Sequence, residues 1–81
     1  MDTRVAVISI VVEDVTQIEN VNASFHQYGN RIIGRMGLPY REKDINIICI
    51  AIDAPMNEIN ALTGALGRIE GISAKATYSN I

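Results

Sequence analysis

From Arg4 to Val12 the chain is an almost unbroken run of apolar, mostly β-branched residues, the pattern of a strand buried on both faces. Glu13-Asp14 ends the run, and Asp14 is placed to cap a helix, with Gln17 three residues later completing a capping box. Val15, Ile18, Val21 or Asn22, Phe25 and Tyr28 then recur every three to four residues, which predicts a helix over residues 15–28 with Gly29-Asn30 as its left-handed stop. Residues 31–38 are weaker: Gly34 and Gly37 interrupt them and two arginines alternate with apolar positions, as on an exposed edge strand. A polar turn over residues 39–44 leads into residues 45–52, again apolar on both faces. Asp53-Ala54-Pro55 reads as a cap followed by a proline in the first turn of a second helix, which carries Ile59, Leu62, Leu66 and Ile69 on one face and is closed by Gly71. Residues 72–78 alternate small and polar side chains, as a second edge strand would.

The order is β-α-β-β-α-β, which the packing rules turn into an α+β, ferredoxin-like sandwich: a four-stranded antiparallel sheet with both helices on one face. The expected strand order is four, one, three, two. The two strands that read as apolar on both faces are the two that this fold places at the centre, so composition and topology agree.

That agreement has a consequence for the face without helices. Ala6, Ile8, Ile10 and Val12 alternate with Val7, Ser9 and Val11, and Ile48, Ile50 and Ile52 alternate with Ile47, Cys49 and Ala51. If the bulkier rows face the helices, then Val7, Ser9, Val11, Ile47, Cys49 and Ala51 form a face that is apolar and uncovered, the mark of an interaction surface. A homo-oligomer, dimer or tetramer, is the expected result.

Length sharpens the point. Eighty-one residues form one domain, residues 1–81, and a core of this size contributes only about 3–5 kcal/mol of net stability, so small chains commonly add disulfides, a metal or a partner. Cys49 is the only cysteine and, within an apolar run, reads as a buried thiol; one Cys and one His far apart do not make a metal site. No cofactor or metal is expected, which leaves self-association. The apolar run before Glu13 is too short to span a bilayer and has no cleavage-site pattern, so a cytoplasmic protein without a membrane partner is expected. A formal charge of −2 gives no basic excess for nucleic acid.

No nucleophile, base and orienting residue converge along the chain, so no enzyme is expected. Two groups of residues are candidates for ligand binding. Arg31, Arg35 and Arg41 lie in or beside the hairpin, with Arg31 and Arg35 on one face by their even separation, and guanidinium groups suit carboxylate or phosphate. The turn Glu13-Asp14-Val15-Thr16 combines acidic side chains with the N–H groups of a helix start. Helix capping by Asp14 and a charged, soluble edge strand are the simpler readings of the same residues. His26, near the end of the first helix with no second ligand close in sequence, reads as a surface residue.

The strand ending Ile10-Val11-Val12-Glu13-Asp14, the hairpin Arg35-Met36-Gly37-Leu38-Pro39-Tyr40-Arg41-Glu42, and Ala61-Leu62-Thr63-Gly64-Ala65-Leu66-Gly67 with Gly71 together resemble the iron-only hydrogenase system regulator family. That family is ACT-like and is similar to the C-terminal domain of nickel-responsive repressors. The resemblance implies a non-catalytic regulatory role near iron-only hydrogenase expression or maturation, with small ligands bound between subunits near the turn after strand one. The ribbon-helix-helix half and the His and Cys ligand cluster of the nickel repressors have no counterpart in these residues, so neither DNA binding nor nickel follows. The alternative is a ligand-free assembly protein that binds a larger partner through its sheet face or edge strand.

Overall fold

The computed structural model describes residues 2–80. Its elements are β1 (Arg4–Val12), α1 (Ile18–His26), β2 (Ile32–Tyr40), β3 (Ile45–Ala54), α2 (Met56–Gly67) and β4 (Ile72–Tyr78), with short 3-10 turns at Val15–Gln17 and Arg41–Lys43. The four strands make one antiparallel sheet in the order β2-β3-β1-β4. This is the expected ferredoxin-like arrangement, with β1 and β3 at the centre.

The core lies between the sheet and the helices. Ala6, Ile8, Ile10 and Val12 of β1 are fully buried, and across the ladder they pair with Ile52, Ile50, Ile48 and Asn46 of β3. Val21 and Phe25 of α1 and Ile59, Leu62 and Leu66 of α2 close over those rows, each helix contributing residues spaced three to four apart. Among the described residues no polar side chain is buried, so the interior is held by apolar burial and shape alone.

Several local expectations need correction. The first helix is not continuous from Val15: Asp14 accepts from the Thr16 N–H at 3.1 Å and from the Thr16 hydroxyl at 2.6 Å, which holds residues 15–17 in a 3-10 turn before the α-helix proper. Gln17 does not reach back to close a capping box; its side-chain oxygen accepts instead from Asn20 Nδ2 at 2.6 Å. At the other end of α1, neither Gly29 nor Asn30 is left-handed. The helix runs out in tight turns, with Tyr28 N donating to Phe25 O and Arg31 N to Tyr28 O. Asp53 and Ala54 belong to β3, paired with Val5 and Arg4, so Asp53 does not cap α2; Pro55 occupies the cap position itself, its carbonyl accepting from the N–H groups of Glu58 and Ile59.

The strongest local constraint is at Gly71, which lies beyond the end of α2. It has φ +80°, and a Cβ there would stand 2.5 Å from Asp14 Cβ. Its carbonyl accepts from the N–H groups of Glu13 at 2.8 Å and Asp14 at 3.3 Å, which ties the turn after β1 to the turn before β4. Only glycine satisfies both the left-handed backbone and the close approach.

Gly71→Ala is therefore expected to lose about 1–3 kcal/mol or more in urea unfolding. Gly37→Ala, where a Cβ meets nothing within 4 Å, should be neutral or slightly stabilising. Asp14→Ala should cost about 1 kcal/mol by removing the cap, measured in the same way.

Candidate functional site

The edge strand β2 is where the structure departs most from a regular strand. Ile32 pairs with Ile52, but the next paired residue, Gly34, sits opposite Ala51, so Ile33 is an extra residue in a bulge. Beyond it the alternation is reset. Arg35, Gly37 and Pro39 pair with Ile50, Ile48 and Asn46 and so face the helices, while Met36, Leu38 and Tyr40 pair with Cys49, Ile47 and Ile45 and face the open side.

On the helix side this leaves a cleft. Arg, Gly and Pro give α1 little apolar surface to rest on, and β2 is exposed at every position after Ile32. Two hollows lie between α1 and β2, with Arg35 lining both. One, of about 420 Å³, is bounded by Asn22, Phe25, His26 and Gly29; the other, of about 360 Å³, by Ile18, Gly37, Leu38, Pro39 and Ile48 among others. Arg35 is fixed at the junction: Nη2 donates to Asn22 Oδ1 at 2.6 Å, and the guanidinium carbon lies 5.0 Å from the centre of the Phe25 ring.

The three arginines are not brought together. The bulge breaks the period-two relation between Arg31 and Arg35, and Arg31 precedes the strand and reaches α2, where its Nη2 lies 3.6 Å from Glu58 Oε2. Arg41 lies in the 3-10 turn past the far end of β2. The turn Glu13-Asp14-Val15-Thr16 is packed against Gly71, and its Asp14 carboxylate is engaged by Thr16. Among the described residues no three of His, Cys, Asp and Glu are grouped to hold a metal ion.

On the open side, Val7, Val11 and Ile47 are exposed as the alternation requires, and Ser9 stands among them, opposite Cys49 and Lys75. Cys49 and Ala51 are half-buried in the same row, so the thiol is not in the core. The reset register adds Met36 and Leu38, 63% and 56% exposed, and Tyr40. The β4 residues on this face, Ser73, Lys75 and Thr77, are polar, so the apolar patch is confined to the β1-β3-β2 side.

Sequence reasoning missed Asn22, Phe25 and His26 as neighbours of Arg35, and Met36, Leu38 and Tyr40 as part of the open face. Alternation of Met36, Leu38 and Tyr40 was a legible signal for the second group. For the first, the spacing of Asn22, Phe25 and His26 on one flank of a helix was visible, but not the strand that faces it.

Among the described residues no helix is long and apolar enough to cross a membrane. A search of curated proteins finds no match. Among solved structures, a Thermotoga maritima protein, TM1266, is 33% identical, with 95% of this chain and 98% of that one aligned at a TM-score of 0.91. Two others, each 10% identical, share the fold only. A formyltetrahydrofolate deformylase from Pseudomonas putida aligns with 95% of this chain and 29% of its own at a TM-score of 0.70. A nitrogen regulatory PII-like protein from Thiomonas intermedia, bound to ADP, AMP and bicarbonate, aligns with 99% of this chain and 100% of its own at 0.61. Residues 4–76 match the TM1266-like family. That match spans nearly all of the sheet and both helices, so the chain belongs to the TM1266-like family, the one named for regulation of the iron-only hydrogenase system.

Proposed function

We propose that this chain is a non-catalytic regulatory module of the iron-only hydrogenase system, a cytoplasmic homo-oligomer that responds to a small ligand held near a subunit boundary. The family name supports the regulatory role. The observation that carries the oligomer is the open sheet face, where Val7, Val11, Met36, Leu38, Tyr40 and Ile47 lie exposed on three adjacent strands. Scattered apolar residues on a surface need no explanation, but a contiguous patch bordered by polar Ser73, Lys75 and Thr77 has the form of an interface. Two copies stacked face to face about a two-fold axis would bring the patch against itself and bury it from both sides.

The same face supports one rival, an assembly protein that presents the patch to a larger partner. Solution behaviour separates the two. Wild type should sediment as a dimer or larger species, with a melting midpoint that rises with protein concentration. Val7→Lys and Leu38→Lys place a charge at exposed positions of the fold, so they should leave the monomer folded while weakening association by at least about tenfold. A wild-type chain that stays monomeric at every concentration would overturn the homo-oligomer and assign the patch to a different protein.

A further inference from the structure

We infer that the cleft between α1 and β2 binds a small organic monocarboxylate with an apolar body, its carboxylate on Arg35. This rests on the regulatory reading, since it names the chemistry of the ligand that a sensor requires, and it places that ligand on the helix side of β2, away from the open face proposed to stack.

The argument begins with the charge on Arg35. Among the described residues it has no carboxylate within ion-pair distance; the ion pair that forms on this side of the molecule is Arg31 with Glu58. Its partners are an uncharged amide and the face of a ring, Asn22 and Phe25. A guanidinium has five N–H donors in a planar fork, and the bond to Asn22 uses one of them. Asn22 and the Phe25 ring thus hold the side chain in place while leaving most of its donors for a partner of opposite charge. A bidentate carboxylate is the partner that fits such a fork.

The surroundings select among anions. The hollow beside Asn22 and His26 lies at the C-terminal end of α1, where the helix dipole is negative, and no helix start or second arginine faces it. One cation at a helix C-terminus favours a single negative charge over a phosphate dianion. The adjoining hollow has apolar walls on Ile18, Pro39 and Ile48 with the polar Asn46 beside them, and Gly37 keeps it open, since a Cβ there would meet no atom within 4 Å. Each hollow falls within the size range of small-ligand sites, roughly 300–1,000 Å³. Charge and shape together describe a carboxylate attached to a short hydrocarbon.

The test is titration of the full chain, followed by amide resonances, with isovalerate, isovaleramide and acetate. Isovalerate should shift Ile18, Gly29 and Gly37 and the Asn22 side chain, and isovaleramide should not. Arg35→Gln should weaken isovalerate by about tenfold to a hundredfold, the worth of a hydrogen bond to a charged group. Gly37→Leu, at a position with space for a side chain, should remain folded, abolish the isovalerate shifts and retain those of acetate. Equal shifts from isovaleramide, undiminished shifts in both variants, shifts confined to another part of the molecule, or no shifts at millimolar isovalerate would each overturn the site. Sedimentation of the same samples keeps the two readings apart: an intact oligomer without these shifts overturns the carboxylate site and leaves the oligomeric regulator standing.

Discussion

The pairing of β1 with β3 is the constraint on which the rest of the structure depends. In register from Arg4 opposite Ala54 to Val12 opposite Asn46, it aligns Ala6, Ile8 and Ile10 with Ile52, Ile50 and Ile48 in a block that the helices seal completely. A slip of one residue would turn every one of those side chains to the other face. The same pairing aligns Val7 with Ala51 and Val11 with Ile47 on the opposite face, and two short helices cannot cover both. Burial on one side and exposure on the other are thus two consequences of a single register.

At β2 that order is modified rather than extended. The extra residue, Ile33, lets Ile32 join the core while everything beyond it changes sides. Met36, Leu38 and Tyr40 then enlarge the open apolar face, and Arg35 and Gly37 are left beneath α1, where a filled core would need large apolar side chains. One bulge therefore shapes both the open apolar patch and the cleft around Arg35. β2 is the element common to them, with one feature on each of its faces.

The turn after β1 illustrates how local chemistry can serve the fold. Glu13-Asp14-Val15-Thr16 has the residues of an anion or amine site, yet Asp14 accepts from both the N–H and the hydroxyl of Thr16, and the backbone N–H groups of Glu13 and Asp14 donate to Gly71. These bonds satisfy donors at a helix start that would otherwise require water or a ligand. The contact also joins the two ends of the βαββαβ path, because Gly71 leads directly into β4 and Glu13 leaves β1, the strand that β4 pairs with.

What the sequence by itself determined was the part governed by local periodicity: the βαββαβ order, the central place of the two doubly apolar strands, the buried rows Ala6, Ile8, Ile10, Val12 and Ile48, Ile50, Ile52, and the apolar row left outside. Period two and period 3.6 are properties of neighbouring residues, so they can be read without coordinates. The cap at Asp14 was legible, but Gln17, Gly29 and Asp53 each have several ways to satisfy the backbone, and the folded chain uses others than the spacing suggests. The tertiary structure alone decided which way β2 faces after Ile33 and which helix each arginine meets. A bulge depends on how two strands register against each other, and whether Arg31 reaches Glu58 or Arg35 reaches Asn22 depends on where α2 and α1 come to rest above the sheet. Neither is encoded in the spacing of the residues concerned.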